Sequence, residues 1–313
     1  MKEDSTAPET PSPPNAGGSS GEENTLLLKV ALGIAAAVIL LLFIVLIRKV
    51  AGMPGDADPA STTKDTIQTQ KPAEPTDTAL LLPPPPPPQP AYAKALRFTF
   101  RETSYVGFRA ISDSVNIRMF LKDEEGSPYG TLYSVRDALE AQGQDFLFAT
   151  NGGIFHSDLS PVGLCVIDGK EVSPLNKETG SGNFYLKPNG VFFILEDGEV
   201  GVLETEAYRQ AGLVPAFATQ SGPMLLIDGA VHPAFNADSP NLRIRSGVGL
   251  INDREVVFLI STEPVRFFDF AMVFRDRYKC QNALYLDGVI SKMLIGDAPT
   301  GPAEFSTIIT VSE

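Results

Sequence analysis

An apolar run of 18 residues, 30–47, contains no charged or polar side chain and lies between Lys29 and the pair Arg48-Lys49. A helix of this length crosses the hydrocarbon core of a bilayer. The leader before the run is long and acidic, whereas a signal peptide has a short basic leader. We therefore predict a permanent single-pass membrane anchor over residues 29–49, in contact with the lipid bilayer through residues 30–47.

The segments on either side of this anchor lack the pattern of a folded core. Residues 1–28 are acidic and rich in Pro, Ser and Gly, which predicts a disordered tail. Residues 50–94 contain six consecutive prolines at 83–88, within a stretch of Ala, Thr, Asp and Gln. Because polyproline II extends about 3 Å per residue, we predict a stiff Pro-rich linker that holds the next domain away from the membrane.

Residues 95–313 form the predicted folded domain, and its composition excludes several classes of protein. From residue 97 onward, 18 Lys and Arg residues stand against 28 Asp and Glu residues. A nucleic-acid partner is not expected, because DNA and RNA backbones bind basic surfaces. With 2 His and 2 Cys residues, we expect no zinc site and no cofactor. A disulfide between Cys165 and Cys280 stays open, and two buried free thiols are the favoured interpretation.

Short β-type runs dominate this domain. Asp168-Gly169, Asp197-Gly198 and Asp228-Gly229 each stand between two runs, and Asp-Gly is a strong signal for a hairpin turn. Helical spacing appears around residues 132–139 and 267–278. Helices are too few to connect the strands of a doubly wound sheet, so we predict an α+β domain with mixed, largely antiparallel sheets. The predicted strands cover residues 96–101, 105–111, 114–121, 146–150, 162–168, 191–196, 216–221, 224–228, 248–252, 256–261, 283–287 and 307–311.

Four clusters of small and polar residues interrupt the strand pattern. The first is Asn151-Gly152-Gly153-Ile154-Phe155-His156. Its adjacent glycines allow positive φ and can turn successive N–H groups toward one anion; a tight turn at a strand end is the structural alternative. The second is Thr219-Gln220-Ser221-Gly222-Pro223. It lacks the glycines two residues before and after the serine that a nucleophile elbow requires.

The other two clusters carry charged side chains. Arg243-Ile244-Arg245-Ser246-Gly247-Val248-Gly249 alternates like a strand, which predicts both arginines on one face. Guanidinium groups bind phosphate or carboxylate at two points, although a solvated edge strand would show the same pattern. The fourth cluster, residues 284–291, contains Asp287-Gly288 and ends at Ser291. Its structural alternative is one more Asp-Gly hairpin turn.

Taken together and in this order, the clusters resemble the motifs of the phosphodiester glycosidase family. That family includes the uncovering enzyme, which removes N-acetylglucosamine from a sugar phosphodiester, and bacterial envelope proteins. The resemblance spans about residues 98–311 and is similar to a bacterial branch. The family's last motif usually reads Asn-Leu-Asp-Gly-Gly-Gly-Ser-Ser, whereas this chain has Tyr285 for the Asn and has Val289 and Ile290 for two glycines. The motifs that carry the resemblance are Asn151-Gly152-Gly153-Ile154-Phe155, Ser221-Gly222-Pro223, Arg245-Ser246-Gly247-Val248-Gly249 and Leu286-Asp287-Gly288.

The resemblance implies a hydrolase that cleaves the glycosidic bond of a sugar-1-phosphodiester or a related envelope glycan. Phosphate leaves as a stable anion, so charge stabilisation matters more than general-acid help. Asp287 would act at the anomeric carbon as base or nucleophile, Arg245 would hold the phosphate, and Phe155 or Tyr285 would replace the missing Trp as a sugar platform. The predicted catalytic residues are Asp287, Arg245 and Asn151, and the predicted substrate-binding residues are Gly152, Gly153, Phe155, Ser221, Gly222, Arg243, Gly288 and Ser291.

Two rival functions and one question of topology stay open. A non-catalytic glycan- or phosphoglycan-binding envelope domain is favoured by the altered last motif. A serine hydrolase built on Ser221, with His232 or His156, is disfavoured by the missing elbow. The tether and the exported character of the resembling family predict a periplasmic or otherwise extracytoplasmic domain. The basic residues near the span favour the opposite orientation.

Overall fold

The computed structural model describes residues 93–288, 290–298 and 300–313. The predicted tail, the predicted anchor and nearly all of the predicted linker lie outside these residues. Within the described ranges, no helix is both long enough and apolar enough to span a membrane. The helices are α1 Leu132–Ala141, α2 Thr205–Ala211 and α3 Phe267–Met272, with a 3-10 turn at Asn183–Tyr185 and a π-helical turn at Val273–Arg277 directly after α3.

The strands form three antiparallel sheets. The first has the order β1-β2-β13-β12-β14-β10-β11, the second β15-β4-β16-β3, and the third β6-β5-β9-β7-β8. The strands are β1 Ala93–Phe100, β2 Thr103–Ile111, β3 Asn116–Phe120, β4 Phe146–Asn151, β5 Cys165–Ile167, β6 Lys170–Ser173, β7 Gly190–Ile194, β8 Val200–Glu204, β9 Phe217–Ser221, β10 Met224–Ile227, β11 Ala230–Val231, β12 Ser246–Asn252, β13 Glu255–Ser261, β14 Ala283–Asp287, β15 Met293–Ile295 and β16 Ile308–Ser312.

The main core lies where the three sheets meet. Phe258 of the first sheet packs on Phe148 of the second sheet, with ring centroids 5.3 Å apart, and on Phe192 of the third sheet at 5.8 Å. All three rings are fully buried. Large aromatic side chains at this junction bury much apolar area, so they hold the sheets together and place the ends of β4 and β14 near each other.

The helices cover the outer faces of the sheets. The apolar side of α1 packs on the second sheet, and Tyr208 of α2 packs on the third sheet. Phe270 of α3 and Phe274 of the π-helical turn pack on the first sheet, on the face opposite the main core. Each sheet therefore has two buried faces over part of its area, which explains why several strands are apolar on both sides.

The α+β class with few helices is confirmed, and every strand ladder among the described residues is antiparallel, so the mixed component of that prediction is wrong. The Asp-Gly pairs at 168, 197 and 228 join β5 to β6, β7 to β8 and β10 to β11 as hairpin turns. Both cysteines are buried free thiols, as favoured. The predicted second helix is regular only to Met272 and continues as the π-helical turn. The pattern missed β6, β8, β11, β15 and α2.

Candidate active site

A cleft of about 580 Å³ opens at the end of β14, between the loop after β4 and the 3-10 turn. Its walls are formed by residues 154–157, Val162, residues 181–185, Asp287 and Ile290. Of the residues predicted from sequence, the cleft lining includes Asp287 and Phe155. A largely apolar cleft with one carboxylate and a few polar groups has the composition of a ligand site.

Asp287 is the last residue of β14 and is mostly buried. Its backbone carbonyl accepts hydrogen bonds from the hydroxyl groups of Ser246, at 3.1 Å, and Ser291, at 2.7 Å. One carboxylate oxygen accepts a hydrogen bond from the backbone N–H of Gly288. The hairpin interpretation of this Asp-Gly pair is wrong, because the chain leaves β14 for β15, which lies in a different sheet.

Asn151 lies fully buried at the end of β4, and its side chain supports the position of Asp287. Its amide nitrogen donates to the Ser246 hydroxyl at 3.0 Å and to the Gly152 carbonyl at 3.1 Å. Its amide oxygen accepts the backbone N–H of Lys292 at 3.3 Å. Because Asn151 does not line the cleft, this geometry gives it a positioning role.

The two adjacent glycines do not form the predicted anion cradle. Neither has positive φ. The N–H of Gly152 donates to the Thr307 carbonyl at 2.7 Å, and the N–H of Gly153 donates to the Thr219 hydroxyl at 3.2 Å. A Cβ at Gly153 would overlap the carbonyl oxygen of Gln220. These residues are glycines because the backbones approach closely here, and their N–H groups are already used within the protein.

Ser221 and Gly222 also have structural partners. The Ser221 hydroxyl is fully buried and donates to the Leu286 carbonyl at 2.9 Å, which holds the strand that ends at Asp287. A Cβ at Gly222 would lie 2.6 Å from Cβ of Asn189. Neither residue lines the cleft, and contacts within the protein account for both. A buried hydroxyl bonded to a carbonyl also has no access to substrate, which removes the basis of the serine-hydrolase interpretation.

The two predicted arginines lie in different environments. Arg243 is exposed, and its guanidinium donates to the neighbouring Leu242 carbonyl at 3.0 Å. Arg245 is fully buried and donates to the carbonyls of Val265, at 2.9 Å, and Asn241, at 3.0 Å. Neither side chain lines the cleft. The expectation that they share one anion-binding face is wrong, because β12 begins only at Ser246.

Arg245 lies behind the cleft, against aromatic rings. Its guanidinium carbon is 3.6 Å from the ring centroid of Phe267 and 5.7 Å from that of Tyr285. One terminal nitrogen, Nη1, has no hydrogen-bond partner of standard geometry, and no described carboxylate pairs with this cation. Burial lowers the pKa of Arg245. The side chain therefore places an unneutralised positive charge beneath the floor of the cleft.

Tyr285 separates this charge from the cleft. Its hydroxyl accepts a long hydrogen bond, 3.5 Å, from the side-chain amide of Asn183, which lines the cleft. Burial and the charge of Asp287 raise the pKa of Tyr285, and Arg245 opposes that shift. Gly288 lies directly over the hydroxyl, where a Cβ would overlap it. Tyr285 is buried and does not line the cleft, so it does not fit the predicted sugar platform, whereas Phe155 and Tyr185 are partly exposed aromatic residues of the cleft walls.

Sequence reasoning missed several residues that line the cleft, including Asn183, Tyr185 and Ile290. The only local signal for them is the pair Gly182-Asn183, which stands before two aromatic residues. That pair does not indicate that Asn183 contacts β14. His156, which the motif includes, also lines the cleft. Among the described residues, no group of three or more His, Cys, Asp or Glu side chains is arranged to hold a metal ion.

Comparison with known proteins decides the family. The model of the family described as phosphodiester glycosidase matches residues 144–311. This chain is also 34% identical to the uncharacterized protein YigE of Escherichia coli strain K12 over 197 residues, which is 62% of this chain and 76% of that protein. The chain belongs to the phosphodiester glycosidase family. All of the predicted site residues lie within the matched range.

Two solved structures resemble the chain more distantly. The zebrafish N-acetylglucosamine-1-phosphodiester alpha-N-acetylglucosaminidase catalytic domain, auto-inhibited by its pro-peptide, matches with a TM-score of 0.49 and 16% identity over 71% of this chain and 82% of that chain. A hypothetical protein from Synechocystis matches with a TM-score of 0.43 and 11% identity over 70% of this chain and 61% of that chain.

Proposed function

We propose that this member of the phosphodiester glycosidase family hydrolyses the glycosidic bond of a sugar-1-phosphodiester in the cleft at the end of β14. The observation that carries the proposal is the placement of Asp287, which lines the cleft and whose backbone is fixed by Ser246 and Ser291. A carboxylate held by a rigid backbone is suited to act at one carbon of a bound sugar.

In this mechanism the sugar lies against Phe155, and its anomeric carbon faces Asp287. The carboxylate acts as base for water or as nucleophile, and the phosphate monoester leaves without strong general-acid help. Arg245 stabilises the negative charge that grows on the leaving phosphate. It acts from beneath the floor, because a preorganised charge in a buried site is effective without direct contact. Asn183 offers an amide to sugar hydroxyl groups.

A non-catalytic domain that binds a neutral glycan is the second candidate. It is favoured by the charge of the cleft, because none of the described lining residues is Lys or Arg. The altered last motif, with Tyr285 in place of Asn, favours it as well. A neutral glycan needs aromatic and hydrogen-bonding groups, and the cleft offers both in Phe155 and Asn183.

Turnover distinguishes the two candidates. The full-length chain is incubated with 1-(methyl phosphate) diesters of N-acetylglucosamine, N-acetylgalactosamine, glucose and mannose, and the free sugar is measured by chromatography. Release of free sugar by the wild-type chain, together with its loss in Asp287→Asn, supports the hydrolase. No release from any diester, together with measurable binding of a neutral glycan, supports the binding domain instead.

We further propose that residues 29–49 anchor the chain in a membrane and that the domain from residue 93 onward lies outside the cytoplasm. The apolar run of 18 residues and the Pro-rich segment support this arrangement. Protease added to intact spheroplasts is expected to digest the domain. Full protection of the domain would reverse the topology.

A further inference from the structure

The cleft is poor in positive charge for a site that takes a phosphodiester. Among its described lining residues, Asp287 is the acidic side chain and His156 is the basic side chain. Arg245 is buried behind Tyr285, and Arg243 does not line the cleft. The cleft surface thus places an anionic ligand near a carboxylate with no permanent cation beside it.

His156 projects from a turn that is well fixed by backbone hydrogen bonds. The backbone N–H of His156 donates to the Ser160 carbonyl at 2.8 Å, and the backbone carbonyl of His156 accepts the N–H of Leu159 at 2.9 Å. The bridge between Phe155 and Pro161 closes the same turn. His156 is exposed and follows Phe155, an aromatic residue of the cleft wall, directly in the chain.

The acidic residue of this turn, Asp158, interacts electrostatically with His156, but its hydrogen bonds go to Ser160. Asp158 accepts hydrogen bonds from the Ser160 hydroxyl at 2.6 Å and from the Ser160 N–H at 3.0 Å, and these bonds lower its pKa. The other titratable groups of the cleft walls are Asp287 from β14 and Tyr185 from the 3-10 turn. No ion pair joins His156 to a carboxylate among the described residues. Its imidazole is therefore available to a ligand.

We propose that the imidazole of His156 binds the phosphate of the substrate and makes this cleft selective for an anionic aglycone. The inference rests on the proposed function and goes beyond it, because it names the side chain that recognises the phosphate. A hydrogen bond from the imidazole to a charged phosphate oxygen is charge-assisted, and its loss should weaken binding of the diester roughly 10-fold.

Binding is measured by calorimetry at about pH 7 on the full-length chain carrying Asp287→Asn, which prevents turnover. The probes are N-acetylglucosamine 1-(methyl phosphate) and the neutral methyl α-N-acetylglucosaminide. We expect His156 to contribute about 10-fold to the affinity for the diester and nothing to the affinity for the neutral glycoside.

Two substitutions at position 156 separate charge from shape. With His156→Gln, Kd for the diester should rise about 10-fold, and with His156→Lys, which keeps a donor to phosphate, it should stay low. The proposal would be overturned if the chain carrying only Asp287→Asn and the chain carrying Asp287→Asn with His156→Gln had equal Kd values for the diester. An equal loss of affinity for the neutral glycoside would also overturn it, because it would show a role in shape only.

The role of His156 and the hydrolase activity can each be refuted without the other. Hydrolysis by the wild-type chain with a KM that does not change in His156→Gln would leave the hydrolase standing and refute the role of His156. A fall in kcat with unchanged KM in that variant would refute it as well, since it would indicate proton transfer in place of anion binding. Conversely, diester binding that weakens in His156→Gln, with no hydrolysis by the wild-type chain, would support His156 and refute the hydrolase.

Discussion

Asn151 and Ser246 belong to different sheets, and the side-chain amide of Asn151 donates a hydrogen bond of 3.0 Å to the Ser246 hydroxyl. Ser246 passes the connection on by donating to the Asp287 carbonyl at 3.1 Å and accepting the Asp287 N–H at 3.3 Å. The position of the proposed catalytic carboxylate is thus set jointly by the first and second sheets.

Ser246→Ala is expected to lower the free energy of unfolding by about 1–3 kcal/mol, because it removes the buried hydroxyl that bonds Asn151 and the backbone of Asp287. It should also lower kcat with little change in KM, since the carboxylate is displaced. Denaturant unfolding and steady-state kinetics measure the two effects. Ser306→Ala is the matched control, because Ser306 is buried and its hydroxyl has no partner among the described residues. Equal losses in the two variants would contradict the prediction.

The catalytic role of Asp287 is tested against an aspartate that makes a turn. Asp287→Asn should lower kcat by about 10²–10⁴-fold on a sugar-1-phosphodiester, with little change in binding. Asp168→Asn should have normal activity, because Asp168 has φ of 47° in a hairpin turn that Asn-Gly also forms. Equal activity of the two variants would show that Asp287 is not catalytic.

The sequence predicts those turns and strands that a few neighbouring residues specify. Asp-Gly pairs specify hairpin turns because both residues take positive φ, as Asp168-Gly169 and Asp228-Gly229 do. The turn at Arg101-Glu102 also has positive φ at both residues, but no local signal marks it. Strand β6 was missed because it is short and mostly exposed, so its sequence shows no apolar alternation.

The site was harder to predict, because the roles of its residues depend on tertiary contacts. The motifs identified the residues around the end of β14, but sequence does not show that Gly153 N–H donates to Thr219 or that Ser221 donates to Leu286. The same limitation hides the burial of Arg245, since an arginine in an alternating segment is more often exposed.

Arg245→Met should lower kcat on the phosphodiester about 10²-fold and change KM little, because the guanidinium is buried and stabilises charge from a distance. Arg245→Lys should recover part of the lost kcat, since it restores a charge without the planar fork. Arg243→Ala should change either parameter by no more than about 2-fold, because Arg243 is exposed and outside the cleft. A KM that rises in Arg245→Met as much as kcat falls would indicate direct contact with the phosphate, as the sequence had suggested.

Gly288 and Tyr285 are expected to be coupled. Gly288→Ala places a methyl group on the Tyr285 hydroxyl, and overpacking of this kind destabilises by about 1–3 kcal/mol. Tyr285→Phe removes the oxygen, after which the added Cβ would lie 3.0 Å from the ring carbon Cζ. The double variant should therefore lose less stability than the sum of the two single variants. Thermal unfolding of the four proteins measures this coupling, and strict additivity would contradict the prediction.

The pH dependence of stability should report on His232, which is buried and stacks on Phe235 with ring centroids 4.7 Å apart. Its Nδ1 accepts the N–H of Ala234 at 3.1 Å, so the folded state favours the neutral ring. Burial lowers the pKa of His232 below its ordinary value.

The unfolded chain therefore binds a proton at His232 more readily than the folded chain does. The stabilisation from the neutral ring is complete above the unfolded pKa of about 6.5, and it is lost as the pH falls below that value toward the folded pKa. Over this window the free energy of unfolding should decrease by up to about 1.4 kcal/mol per pH unit. His232→Asn keeps an acceptor near the position of Nδ1 but does not titrate, so its unfolding free energy should fall less steeply between pH 6.5 and 5. Urea unfolding at four pH values checks the prediction, and a wild-type slope retained in His232→Asn would assign the acid sensitivity to other groups.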